Sequence, residues 1–172
     1  YRNKIKLMVI DGKIGYFETN SHTLVEINEC IIASKAINKV IPLLKNFNII
    51  NGNIVIRCNL DDEILIIIES NDKLNIDIDV LKENIKLVGI VVNNKTIYGD
   101  NFLIECINDI YYKISYDTFF QINPYVASKL FNIVKENIDK TDIVLDLYCG
   151  VGTLSLNAAL NANEVIGVEI VP

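Results

Sequence analysis

Apolar residues alternate with polar ones over residues 5–9, 14–17 and 24–27, the period-two pattern of half-buried strands. Asp11-Gly12 between the first two reads as a hairpin turn, so the chain is expected to open as a β-meander. Ala36, Val40, Leu43, Leu44 and Phe47 then follow the spacing of one buried helix face, and Asn51-Gly52 closes that segment. One helix should therefore cover the meander. Residues 54–58 and 64–68 read as paired strands around Asp61-Asp62, and residues 77–85 as a short helix. Further strands are expected at 88–92, 102–107 and 111–114. Strands joined by tight turns with only two helices predict an α+β domain, an antiparallel sheet with two helices, over residues 1–118.

The pattern changes at Phe119. Asn123 suits an N-cap and Pro124 the first helical position, and Val126, Leu130, Ile133, Val134 and Ile138 make an amphipathic face. An apolar strand over 143–147, a glycine-bearing turn, a small-residue helix over 154–162 and a second strand over 165–168 form one βαβ unit of a parallel sheet, in a second domain over 119–172. A βαβ unit alone leaves open edges and an uncovered sheet face. It is expected to be poorly ordered, to pack back on residues 1–118, or to self-associate with another copy.

Composition narrows the class. At 172 residues, 51% hydrophobic and 22% charged, the chain can bury a core and is too apolar to be disordered. No apolar run is long enough for a transmembrane helix, and no signal peptide is visible. Cys30, Cys58, Cys106 and Cys149 are too widely spaced for a CxxC metal site or a disulfide framework, which points to a reducing, cytoplasmic setting. Tyr1 as first residue, with the only methionine, Met8, inside a strand, suggests a chain that starts within a longer protein. The formal charge of -6 hides an asymmetry: residues 1–60 carry +4 and residues 61–172 carry -10. A polyanion contact is therefore expected in the first third, where Arg2, Lys4, Lys6 and Lys13 cluster near Tyr16 and Phe17. Lysines on a strand edge also guard against aggregation, and that reading stands beside the first.

The chemistry-bearing segment is Asp146-Leu147-Tyr148-Cys149-Gly150-Val151-Gly152-Thr153, directly after one strand and before a helix. Gly150 and Gly152 allow a sharp turn and close backbone approach to a ligand, and Glu169 ends the next strand, where a carboxylate accepts from ribose hydroxyls. Ser155 stands where a dinucleotide fingerprint needs glycine or alanine, which weakens an NAD reading. Asp146 would repel a pyrophosphate and suits the cationic methionine end of S-adenosylmethionine (SAM). The alternatives are an NAD-binding oxidoreductase fragment and a non-catalytic RNA-binding piece.

Tyr1-Arg2-Asn3-Lys4, Ser21-His22, Glu29-Cys30, Phe119-Phe120-Gln121-Ile122-Asn123, the 146–153 block and Val168-Glu169-Ile170-Val171-Pro172 occur in that order. Together they resemble the RNA (uracil-5-)-methyltransferases, the group containing 23S ribosomal RNA and tRNA 5-methyluridine enzymes. The resemblance implies that residues 119–172 are the first βαβ of a Rossmann-like, SAM-dependent methyltransferase domain (α/β) behind a central α+β domain. It implies cofactor contacts from Gln121, Tyr148, Gly150, Gly152 and Thr153, with Glu169 on the ribose. Thr153 is equally well explained as a helix cap. RNA is the implied partner, ribosomal first and transfer RNA as the alternative, with Arg2, Lys4 and Lys6 as contacts and His22 as a loop or RNA-facing residue.

In that family a cysteine thiolate attacks C6 of a flipped-out uracil, C5 takes the methyl group, and a carboxylate base removes the C5 proton. The nucleophile belongs to an Asp/Asn-Pro-Pro-Arg segment, and neither it nor the base occurs before Pro172. Cys149 is assigned to the cofactor loop, so no catalytic residue is expected here and the isolated chain should be inactive. Cys30 resembles the last of four cysteines that hold an iron–sulfur cluster in many of these enzymes. One thiolate cannot hold a cluster, so Cys30, like Cys58 and Cys106, is expected to be a small core residue, with any cluster confined to a longer parent protein.

Overall fold

The computed structural model describes residues 1–170; Val171 and Pro172, the end of the last motif block, lie outside the described residues. The chain divides into two compact units, Tyr1–Leu103 and the remainder from Ile104. The expected boundary at 118/119 therefore shifts. Most of the hairpin over residues 102–115 groups with the second unit because its Ile107, Tyr112 and Ile114 share a core with Phe120, Ala127 and Phe131.

In the first unit, strands β1 (Lys4–Ile10), β2 (Lys13–Phe17) and β3 (Leu24–Glu26) form the meander, and helix α1 (Lys35–Leu44) follows. Ser34 caps α1 by accepting from the N–H of Ile37 at 3.2 Å. Strands β4 (Gly52–Cys58) and β5 (Glu63–Glu69), helix α2 (Ile78–Asn84), β6 (Lys86–Val92) and β7 (Lys95–Gly99) complete a seven-stranded sheet in the order β3-β2-β1-β4-β5-β6-β7. Alternation decides which residues turn inward. Ile5, Leu7 and Val9 join Ile54, Ile56, Ile64, Ile66 and Ile68 against Ile37, Val40, Ile41 and Leu44 of α1. Cys30 and Cys58 are buried in this core, whereas Cys106 is only half-buried.

The sheet is not wholly antiparallel as expected: β5 and β6 run parallel. The segment carrying α2 returns the chain to the same end of the sheet before β6 begins, which is what a parallel neighbour requires. The edge strand β7 has no counterpart in the apolar pattern, since most of its side chains are exposed.

Asp72 ties the β5 exit to the turn before β4. Its Oδ2 accepts from the N–H groups of Ile50 and Asn51 at 2.8 and 2.9 Å and from the Ser70 hydroxyl at 2.9 Å. These bonds, the Asn51 and Ile50 amides foremost, hold its carboxyl below the ordinary value. A depressed folded-state value contributes stability above the unfolded value of about 3.9, lost as pH falls through the folded one. Asp72→Asn should therefore lower the melting temperature at neutral pH, and the gap to wild type should close on acidification past that window.

Strand β8 (Phe102–Ile107) crosses the unit boundary; the second unit holds its greater part with β9 (Ile110–Ser115), helix α3 (Pro124–Glu136), β10 (Ile143–Leu147), helix α4 (Thr153–Ala158) and β11 (Glu164–Val168). Asn123 caps α3 and Pro124 starts it, as expected. The buried face differs from the expected one. Pro124, Ala127 and Phe131 are buried, while Val126, Leu130 and Ile133 are exposed. Phe131 wins because its ring packs against Tyr112 at 6.4 Å, an aromatic partner on a distant strand that helical periodicity does not reveal. Strands β10 and β11 pair in parallel, with Asp146 opposite Gly167. Their outward residues Ile143, Leu145, Leu147, Ile166 and Val168 are exposed, so the pair is formed with one apolar face open in the single chain.

Candidate functional site

The β10–α4 turn is built from unusual backbone. Tyr148 adopts φ 62°, Gly150 φ 56° and Gly152 φ 76°, the left-handed region in which a non-glycine residue is strained. The turn is held from β11: the Cys149 N–H donates to the Val168 carbonyl at 3.1 Å and the Gly150 N–H to Glu169 Oε2 at 2.8 Å. Glu169 Oε1 accepts from the Ile170 N–H at 2.8 Å, so both oxygens of this carboxylate are placed by backbone. A Cβ at Gly150 would meet no protein atom within 4 Å, so the glycine turns bare backbone toward open space.

Behind the turn, the Ser155 hydroxyl donates to Asp146 Oδ2 at 2.6 Å. A Cβ on Gly167 would lie 3.1 Å from Cys149 Sγ and 3.3 Å from Ser155 Oγ. The small residue that a dinucleotide fingerprint places on the helix thus sits here on β11, and Ser155 uses the space to fix Asp146. Ser155→Ala removes a charge-assisted bond to a half-buried carboxylate and should cost about 1–2 kcal/mol in denaturant unfolding. Asn157, fully buried on α4, donates to the Tyr112 hydroxyl and to the Thr153 carbonyl, both at 2.7 Å, and so ties α4 to β9.

A cleft of about 730 Å³ opens over this turn. Gln121, Tyr148, Gly150, Thr153 and Glu169 line it together with Asp117, Phe119, Asp146 and Leu154. Gly152 does not: it is the N-terminal cap residue of α4. Thr153 is the first helical residue, not the cap, and faces the cleft. The structure adds Asp117 to the acidic residues read from sequence, so the cleft carries three carboxylates, and no lysine or arginine is among its described lining residues.

The other expected residues lie in the first unit. Lys4 and Lys6 point to the sheet face away from α1, Lys6 exposed and Lys4 half-buried. Burial first, then the positive charges of Arg57 and Lys6, push the Lys4 ammonium below its ordinary value. Arg2 precedes β1 and bridges to Ala33. Cys30 is buried with the Tyr16 hydroxyl 3.5 Å from its sulfur, and its backbone exchanges two bonds with Asn38. Among the described residues no group of three or more His, Cys, Asp or Glu is placed to hold a metal ion, so an iron–sulfur cluster does not fit these residues alone.

The chain is 35% identical to a protein named as an RNA methyltransferase in Fusobacterium nucleatum, over 99% of this chain and 45% of that protein. It is 30% identical to a second so named in Clostridium acetobutylicum, over 100% of this chain and 46% of the other. It spans about half the length of these curated relatives. Its fold is that of the Pyrococcus abyssi tRNA (uracil-54, C5)-methyltransferase solved with S-adenosyl-L-homocysteine. That match has a TM-score of 0.78 and 22% identity, over 98% of this chain and 55% of the other. Residues 53–172, from β4 through the glycine turn and beyond β11, match the tRNA (uracil-5-)-methyltransferase family, and the chain belongs to it.

Proposed function

We propose that the protein transfers a methyl group from SAM to C5 of uridine in RNA, and that this chain supplies the cofactor pocket and part of the RNA contact. The charge of the cleft carries the reading. Asp117, Asp146 and Glu169 suit a ligand bearing sulfonium and ammonium charges and oppose the pyrophosphate of a dinucleotide. Phe119, Tyr148 and Leu154 offer apolar surface for an adenine ring, and Glu169 is held where it can accept from ribose hydroxyls. Asp146, fixed by Ser155, faces the cationic end, and Gln121 completes the polar lining. When bound, SAM supplies the electrophilic methyl group.

The resemblance places the nucleophile in a Pro-Pro-Arg segment that these 172 residues do not contain, and the chain spans about half the length of its relatives, so this chain alone is expected to bind cofactor without turnover. Ribosomal RNA is the target expected from the motif resemblance. Transfer RNA is the second reading, favoured by the description of the matching family and by the Pyrococcus abyssi relative. The test is transfer of labelled methyl from SAM to ribosomal and transfer RNA. A protein extended to its relatives' length should produce 5-methyluridine, and this chain alone should produce none. Methylation at another base by the extended protein, or turnover by this chain, contradicts the reading.

A further inference from the structure

The β2–β3 hairpin carries an aromatic pair that the cofactor pocket does not use. Phe17 ends β2, and His22, the single histidine of the chain, sits in the connecting loop. Their ring centroids lie 5.8 Å apart at 85°, an edge-to-face contact that covers only one of the four ring faces. Both side chains are exposed, Phe17 at 38%. The hairpin tip is fixed by short bonds. The Glu18 N–H donates to the Thr23 carbonyl at 3.0 Å, the Ser21 N–H to the Glu18 carbonyl at 3.1 Å and the Thr23 N–H to Ser21 Oγ at 2.9 Å.

Charge gathers on the same face. Ile14 and Tyr16 turn toward the α1 core, so Phe17 lies on the opposite side of β2. Ile5, Leu7 and Val9 likewise put Lys4 and Lys6 on that side of β1. The β1–β2 pairing runs from Ile10–Lys13 to Met8–Gly15, so Phe17 and Lys6 lie beyond its end on the same sheet face. Lys4 is paired across the sheet with Arg57, and burial first, then the positive charges of Arg57 and Lys6, push its ammonium below the ordinary value. Among nearby carboxylates, Glu26 is engaged by Lys45 at 3.6 Å and Glu69 accepts from Asn53 Nδ2 at 2.7 Å, while Glu18 sits at the hairpin tip. An exposed aromatic pair on a hairpin whose sheet face also carries an exposed lysine matches the chemistry of an unpaired nucleotide, whose base stacks while its phosphate meets the cation.

We propose that Phe17 and His22, with Lys6 on the same face of the sheet, form a stacking platform for an unpaired base of the RNA substrate. This rests on RNA as the substrate class and is independent of the cofactor assignment. The two contributions separate experimentally. Stacking on an aromatic ring is sequence-tolerant and insensitive to salt, whereas each lysine–phosphate contact adds about 0.7 to the slope of log affinity against log salt for a single strand.

The experiment is fluorescence anisotropy of a labelled uridine-rich single-stranded RNA with this chain over a salt series, with SAM titration and thermal melting on the same samples. Phe17→Leu and His22→Gln should each weaken RNA binding by about five- to a hundred-fold with the salt slope unchanged. Lys6→Gln should flatten the slope by about 0.7, and Glu18→Gln should tighten binding. All four should leave SAM affinity unaltered. RNA affinities of Phe17→Leu and His22→Gln within two-fold of wild type, with or without a change in melting temperature, would make the pair a hairpin cap and overturn the proposal. Failure of the wild-type chain to bind RNA at low salt would also overturn it. Loss of SAM binding alone would strike the cofactor reading and leave the platform standing.

Discussion

Glu169→Ala is expected to weaken SAM binding by roughly 30- to 150-fold, the equivalent of about 2–3 kcal/mol for losing hydrogen bonds to a charged group. The effect is large because one carboxylate does two jobs. It lines the cleft, where the proposed cofactor would place its ribose hydroxyls, and its Oε2 accepts from the Gly150 N–H at 2.8 Å, so its removal also releases the glycine turn. Glu169→Gln retains an acceptor oxygen without the charge and should fall between alanine and wild type. Calorimetric titration checks the order. Equal affinities for wild type and Glu169→Ala would remove Glu169 from the site.

Phe131→Ala carries the largest expected cost in stability, about 3–5 kcal/mol, the range for deleting a fully buried aromatic ring. The ring packs in a small cluster with Ile107, Tyr112, Ile114, Phe120 and Ala127, which leaves few neighbours to close the cavity. It also lines the cleft beside Gln121, so SAM binding should be lost with the packing. Val126→Ala on the same helix serves as the control. Its side chain is 58% exposed, and truncation should change stability by no more than about 0.5 kcal/mol. Denaturant unfolding with hydrogen exchange in α3 and β9 reads both variants. A larger cost at Val126 than at Phe131 would reverse the buried face of α3.

That contrast marks how far the amino-acid pattern reaches. Period-two alternation and the turn signal at Asp11-Gly12 disclose strands whose partners are adjacent in sequence, and the Asn123 cap with Pro124 marks the start of α3. Partners distant in sequence leave no such trace. The parallel pairing of β5 with β6 and the choice of Phe131 over Val126 each depend on an element met many residues away, whereas β7, the hairpin partner of β6, escapes the pattern because its exposed side chains carry no apolar alternation. The cofactor turn is legible for the same reason that the meander is: its strand, two glycines and helix are contiguous. Its support is not. Ser155 reads from sequence as a missing glycine, and only the register that sets Asp146 opposite Gly167 shows why a serine belongs there.

The central claim is that the three-carboxylate cleft over the Tyr148–Thr153 turn is a SAM site. Side-by-side calorimetric titration of this chain with SAM and with NAD tests it most directly. Saturable, one-to-one binding of SAM with no heat from NAD is the predicted result, and binding of NAD in preference to SAM would contradict it.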